Sequence, residues 1–533
     1  MASGERIGNS IGDLIGRPGG DLTGHPGGFT GHPGDFIGRP GGNLIGHSGG
    51  GFIGHFIGGE WVPAESARSY RKRSPWSGEV VADVAAGDGE DARRAVAAAH
   101  EAFESWAGAQ PWRRQQIFLR AADVLERRRD EVLCSLAVET GCGRVFGDVQ
   151  VDFTLKLLRQ AAQLGYRPVG ELLPSDVAGG RAAAIRRPVG VVAAIAPWNA
   201  SLTLAGRAVI GPLALGNTVV LKPSEESPYT GGALWAEILQ EAGLPSGVFN
   251  VVTHAPGEAG AVGDALLASR LVKRVNFTGS TPTGRRLAEK AGTYLKRVVL
   301  QLSGQNPLIV TDDADVGYAV EAAAYGAFVH QGQVCMCARR VYVERPVAEE
   351  FTTRFAAKAA TLPTGDPSDP ATVVGPVINE WALALLDRRV NEAVELGARV
   401  LAGGVPAPPC YPATVLADVP DEAEIAQGET FGPVVIVEVV DSAEEAVARA
   451  NESDLGLAAS IITGDVRRGL RLASRLEAGI VHVNDQPVND EPQMPFGGVK
   501  DSGWGRFGLG FAAEEFCELQ WVTVRDQDRE FPF

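Results

Sequence analysis

Short runs of β-branched and apolar residues, each followed by a stretch of helical periodicity, constrain this chain more than any other feature. They read Gly190-Val-Val-Ala-Ala-Ile195, Thr218-Val-Val-Leu221, Val248-Phe-Asn-Val-Val252 and Arg274-Val-Asn-Phe277, with helical segments near 203–215, 230–242 and 258–268 between them. Strands that are apolar throughout must be covered on both faces, and parallel neighbours need a crossover long enough for a helix. The alternation therefore dictates a parallel sheet sheathed by helices. The same rhythm restarts after 307, with Leu308-Ile-Val310, Arg340-Val-Tyr-Val343, Val434-Val-Ile-Val-Glu-Val439 and Ala459-Ser-Ile461. Two α/β units follow, and 533 residues are indeed too many for one core.

Upstream, the pattern changes twice. From Glu90 to Glu139 apolar residues recur at helical spacing, with Ala92, Ala95, Val96, Ala99 and Phe103 in one stripe and Ile117, Ala121, Val124 and Leu125 in a second. Residues 1–54 instead repeat a degenerate unit, as in Thr23-Gly-His-Pro-Gly-Gly-Phe29 and Thr30-Gly-His-Pro-Gly-Asp-Phe36. Gly and Pro at this density leave too little apolar surface to offset ordering entropy, so the stretch reads as a disordered extension. Its histidines His25, His32 and His47, with His55, allow a metal-binding tract as the alternative. The globular chain is expected to begin near Phe56.

Composition narrows the function. Apolar residues at 45% and charged residues at 21% describe an ordinary globular protein. A net charge of −16 argues against nucleic-acid or anionic-membrane partners, which draw on clustered Lys and Arg. No apolar run approaches the roughly eighteen residues of a membrane span, and Met1-Ala-Ser-Gly-Glu-Arg6 has no signal-peptide core. Six cysteines, at 134, 142, 335, 337, 410 and 517, make no disulfide framework. A cytoplasmic protein is expected.

Four segments carry chemistry. Gly332-Gln-Val-Cys335 follows a small-residue helix (Ala322 to Ala327) and places a cysteine where it reads as an exposed nucleophile. Phe277-Thr-Gly279-Ser280-Thr-Pro-Thr-Gly284 follows a strand and opens a helix at Arg285, so it is either a phosphate cradle at a helix N-terminus or a plain turn. Lys222-Pro-Ser-Glu225 closes another strand and could grip ribose hydroxyls or form a surface turn. Ala196-Pro-Trp-Asn199 caps a third, where an Asn can donate to an oxyanion or cap the next helix. Cys337 makes a Cys-x-Cys pair with Cys335, but no further ligand spacing supports a metal site.

Taken with Glu429-Thr-Phe-Gly-Pro433 and Pro495-Phe-Gly-Gly-Val-Lys-Asp-Ser-Gly503, these motifs resemble the aldehyde dehydrogenase superfamily from about Phe56 to Val524. His330-Gln-Gly-Gln-Val-Cys-Met336, Asn489-Asp-Glu-Pro-Gln-Met-Pro495 and Trp504-Gly-Arg-Phe507 look most like its benzaldehyde, salicylaldehyde and vanillin dehydrogenases. The resemblance implies an NAD-binding domain over 55–300, a catalytic domain over 301–500 and a C-terminal segment over 501–533. That segment would join residues 170–188 in a small β element that makes a homodimer or homotetramer. By the same resemblance Cys335 would attack the aldehyde, with Asn199 and the Cys335 N–H holding the oxyanion. Ala196, Trp198, Gly279, Ser280 and Gly284 would line the dinucleotide, Lys222 and Glu225 its adenosine ribose, and Glu429 and Phe431 its nicotinamide end. A carboxylate beside the 2′-hydroxyl favours NAD over NADP.

The chain departs from the family at the general base. Where Glu-Leu-Gly-Gly is usual it has Gln301-Leu-Ser303-Gly304, and an amide cannot accept a proton from water. Phe507 and Ala208 stand where other charged relay groups occur. Three activities stay open: oxidation of an aldehyde, aromatic by the subgroup, with slow or differently assisted hydrolysis; transfer of the Cys335 thioester to a thiol such as coenzyme A, or its reverse; and a non-catalytic NAD-binding role. His330 reads as positional, and Arg207 as either a structural ion pair or a contact to a ring substituent.

Overall fold

A computed structural model describes residues 51–533 apart from 168, 527 and 530, so most of the expected disordered extension, with His25, His32 and His47, lies outside the described residues. The folded chain starts before the expected boundary at 54. Phe52–Ile53 pairs in parallel with Val80–Ala85 and buries Ile53, because two apolar residues after the glycine run find a strand partner. His55 is a packing residue: its Nδ1 meets the Thr253 hydroxyl at 3.1 Å and its Nε2 lies 3.6 Å from the Asp91 carboxylate. Among the described residues there is no cluster of three or more potential metal ligands, and no helix is long and apolar enough to cross a membrane.

The first sheet has eight strands. Five run parallel in the order Arg297–Gln301, Val272–Thr278, Val191–Ile195, Thr218–Lys222 and Phe249–Val251. Val191–Ile195 and Thr218–Lys222 are buried at every position, as unbroken apolar runs demand. Their alternate side chains enter two cores, one shared with helices Pro111–Arg127, Ser201–Ala214 and Leu234–Glu241, the other with Gly89–Ala107 and Ala259–Ala268. Strand order reverses beside Val191–Ile195, whose neighbours Thr218–Lys222 and Val272–Thr278 lie on opposite sides. Such a switch point opens a crevice at the carboxyl ends of the strands.

Leu302 to Gln305 lead into a second sheet, in the order Arg399–Ala402, Thr414–Ala417, Val434–Val440, Ala338–Glu344, Asn306–Val310, Ala458–Ile462 and Ile480–Val483. All its pairs are parallel except the first. A third, antiparallel sheet stands apart and joins Gly170–Leu173, Gly180–Pro188 and Cys517–Arg525. The architecture is the expected mixed α/β fold. The helical region resolves into Gly89–Ala107, Pro111–Arg127 and Arg129–Thr140, and an unanticipated fourth helix follows at Arg144–Ala161.

Candidate active site

The two large sheets approach with opposite polarity. Carboxyl ends of the first deliver Ala196 to Asn199, Lys222 to Glu225, Gly279-Ser280 and Gln301. Amino ends of the second deliver Cys335, just before Ala338–Glu344, and Glu429 to Phe431, just before Val434–Val440. The approach is close. Asn199 Nδ2 donates to the Gln333 carbonyl at 3.0 Å, Gly304 N–H donates to Glu429 Oε1 at 3.2 Å, and the Trp198 and Phe431 rings meet edge-to-face at 5.5 Å.

The loop carrying Cys335 is held under strain. Helix Val316–Phe328 ends, and His330 and Gln331 both take the left-handed conformation at φ 51° and 55°. For side-chain-bearing residues this costs on the order of 1–3 kcal/mol each and persists only where surroundings enforce it. Here they do: Gln331 Nε2 donates to the Gly141 and Pro376 carbonyls at 2.8 and 2.9 Å, and His330 stacks on Phe146 at 4.9 Å. Gly332 follows at φ 67°, where a Cβ would come within 2.1 Å of the Gly432 carbonyl oxygen. Asn306 Nδ2 then clamps the carbonyls of Cys335 and Cys337, each at 2.8 Å. Both ring nitrogens of His330 lack a partner among the described residues.

These restraints set Cys335 on the wall of a cavity of about 540 Å³. The exposed thiol expected from the sequence needs correcting. Cys335 is only partly exposed, and burial, followed by the Glu429 carboxylate, pushes its thiol up to about 12 against the pull of Arg207. It follows a strained loop rather than opening a helix, so no helix dipole assists it. Aromatic side chains Phe146, Phe153, Tyr325 and Phe496 line the same cavity. Arg207 makes the structural ion pair of its first reading, at the wall of the cavity. It pairs with Asp490, lies 4.0 Å over the Phe496 ring and 4.9 Å over Phe153, and leaves Nε and Nη1 without partners among the described residues. Helix Arg144–Ala161 supplies Phe146, Gln150 and Phe153, a wall the sequence reading missed although their three- and four-residue spacing was visible.

The carboxyl ends of the first sheet carry the residues that could hold a dinucleotide. A Cβ at Gly279 would meet the Phe277 ring at 2.4 Å and one at Gly284 would meet Leu302 at 2.4 Å, so glycine permits the close start of helix Thr281–Thr293. The Ser280 hydroxyl turns to Thr283 Oγ1 at 3.0 Å instead of capping the backbone, Thr281 N–H meets the Ser303 hydroxyl at 3.4 Å and Pro282 has no N–H, so Thr283 N–H is the first-turn donor that could face a phosphate. Lys222 and Glu225 come together around His254, a residue sequence reasoning did not single out. Lys222 Nζ lies 2.6 Å from His254 Nε2, which is 3.7 Å from Glu225 Oε2. Burial draws Lys222 down to about 8 despite Glu225, and burial with the Lys222 charge draws His254 down to about 4.

Gln301 is buried with 1% exposure, and neither amide atom has a partner among the described residues. Phe507 and Ala208 are core residues. Burial raises the Glu429 carboxyl above its ordinary value, with Arg339, the Ser303 hydroxyl and the Gly304 amide opposing.

Residues 61–522 match the aldehyde dehydrogenase family. The chain is 44% identical over 476 residues to a vanillin dehydrogenase of Pseudomonas fluorescens, covering 89% of this chain and 98% of that protein. It is 43% identical over 483 residues to a benzaldehyde dehydrogenase (NAD+) of Pseudomonas putida, covering 90% and 98%. The crystal structure of a salicylaldehyde dehydrogenase from Pseudomonas putida G7, complexed with salicylaldehyde, superposes with a TM-score of 0.88 at 37% identity, over 91% of this chain and all of that one.

Proposed function

The chain belongs to the aldehyde dehydrogenase family, oxidoreductases acting on aldehydes, and from that premise we propose that it oxidises an aromatic aldehyde to the acid with NAD. The observation that carries this reading is the placement of Cys335 and Asn199 together on the wall of an aromatic-lined cavity. A flat ring fits between Phe146, Phe153 and Phe496, and the two free N–H faces of Arg207 suit an oxygen substituent on it. Cys335 bonds to the aldehyde carbon as its thiolate. Asn199 has two amide hydrogens, one committed to Gln333 and one free for the oxyanion, a contact of a kind worth roughly 10²–10³ in rate. Bound in the crevice, NAD would supply the acceptor for the hydride; Lys222 and Glu225 would hold its adenosine ribose, Ser280 and the Thr283 N–H its pyrophosphate, and Glu429 its second ribose. Because the free thiol is pushed up to about 12, Cys335 rests protonated until neighbours change.

The third sheet supports a homodimer or homotetramer. It exposes Leu173, Leu519 and Trp521 on one face, and its outer strands end in open edges. Six free cysteines accord with a reducing, cytoplasmic setting.

Mixing enzyme, NAD and benzaldehyde tests the proposal. We expect one equivalent of NADH per site in a rapid phase, a benzoyl adduct on Cys335 by mass spectrometry, and loss of both in Cys335→Ala. NADH formation by Cys335→Ala at the parent rate would overturn the reading.

A further inference from the structure

The segment that departs from the usual Glu-Leu-Gly-Gly runs past another carboxylate, Glu429. Gln301 removes a base, and its buried, unpartnered amide cannot take a proton from water. Ser303 adds a hydroxyl that helps hold the Glu429 carboxyl down, and the next residue, Gly304, donates its N–H to Glu429 Oε1 at 3.2 Å. Gly304 also backs onto the nucleophile's own peptide: a Cβ there would lie 2.5 Å from the Cys335 carbonyl oxygen. After burial, Glu429 is the largest influence on the Cys335 thiol. The other carboxylate that Cys335 senses, Asp490, is committed to Arg207. The segment that lost its base thus holds another carboxylate next to the residue that packs on the Cys335 peptide.

We propose that Glu429 is the general base that hydrolyses the Cys335 thioester, acting when the nicotinamide ribose no longer occupies it. The proposal rests on the reading of Cys335 as the acylated nucleophile. A water oxygen bonds to the acyl carbon as its proton passes to a Glu429 oxygen. The C–S bond breaks, the sulfur leaves as thiolate and takes the proton back from Glu429, and the free acid ionises to solvent. No oxidation or reduction occurs in this half of the cycle. Ser303 is a positioning residue that keeps the carboxylate charged and aimed.

p-Nitrophenyl benzoate benzoylates a reactive thiol without any dinucleotide, so nitrophenolate release reports acylation and the benzoyl mass on Cys335 reports hydrolysis. We expect the Glu429→Gln variant to acylate at least as fast as the parent, since its lost charge no longer opposes the thiolate. Its benzoyl group should persist at least about 10²-fold longer, and several-fold longer in Ser303→Gly. Added NADH should slow hydrolysis in the parent, by engaging Glu429, and leave Glu429→Gln unchanged. Equal hydrolysis in parent and Glu429→Gln, or acceleration of the parent by NADH, overturns the proposal. Should Glu429→Gln fail to fold, Ser303→Gly decides: a retained burst with unslowed hydrolysis refutes Glu429 as base. If no benzoyl group forms on Cys335 at all, the nucleophile reading fails and the base falls with it; normal acylation with unslowed hydrolysis removes the base alone.

Discussion

Gln301→Glu places a carboxylate at the buried end of strand Arg297–Gln301, in the volume of an amide that is 1% exposed and has no partner among the described residues. The new group inherits no donors, so burial raises its pKa in the folded state. If the rise is about two units, the variant loses about 2.7 kcal/mol relative to the parent. The sign is fixed: both states are protonated at low pH, the unfolded chain ionises first as pH rises past about 4.3, and the penalty grows until the folded carboxyl ionises. A Tm scan should therefore find parent and variant equal near pH 4 and the variant lower at pH 7 to 8. The kinetic effect runs the other way. General-base catalysis is typically worth about 10²–10⁴, and a carboxyl raised by about two units from about 4.3 is mostly ionised at pH 7, so it delivers most of that. Thioester hydrolysis should speed up by at least about tenfold at pH 7, little more at pH 9, and become insensitive to added NADH. Stopped-flow NADH traces separate the effects, because the burst rate stays near the parent's while the linear phase steepens. A full alkaline Tm penalty with an unchanged linear phase would refute the reasoning, since an ionised carboxylate at 301 would then do nothing for hydrolysis.

Asn199→Ala should slow the NADH burst by roughly 10²–10³, and an unaltered burst rate in stopped flow would show that Asn199 does not hold the oxyanion. Alkylation of Cys335 in the free enzyme by iodoacetamide, followed by peptide mass spectrometry, should climb about tenfold per pH unit from 7 to 10 without levelling, as a thiol pushed up to about 12 requires; a plateau near pH 8 would contradict it. Arg207→Met leaves Asp490 buried without its cation and should cost roughly 3–5 kcal/mol in denaturant unfolding, most of it recovered when Asp490→Leu is added. The double variant should still oxidise benzaldehyde but lose preference for ring-hydroxylated substrates, and an unchanged preference would assign Arg207 to structure alone.

Legibility followed the range of the interactions. Val191–Ile195 and Thr218–Lys222 announced themselves because burial on both faces leaves a continuous apolar run. Helix Arg144–Ala161 was missed although Phe146, Gln150 and Phe153 keep helical spacing, because Gly147, Gln150 and Thr154 on its buried face dilute the apolar stripe. Cys335 could be located by its motif, but its charge state could not. The groups that set it, Glu429 and Arg207, arrive from distant segments of the chain, and burial exists only once both sheets meet. His254 left no pattern, since its meaning comes from a 2.6 Å approach to Lys222 across two strand ends. Gln301 shows the limit most clearly. Its identity warned that a base was missing, but the amide's lack of partners and the nearness of another carboxylate are facts of folding. Ser303 looked like a second loss of the motif. In three dimensions its hydroxyl helps hold the Glu429 carboxyl down, so two substitutions that seem independent along the chain act on the same proton. Reverting one without the other should then be non-additive: Ser303→Gly should slow hydrolysis several-fold beside Gln301 and leave it nearly unchanged beside a glutamate at 301. Equal slowing in both backgrounds would mean that Ser303 serves the loop and not the base.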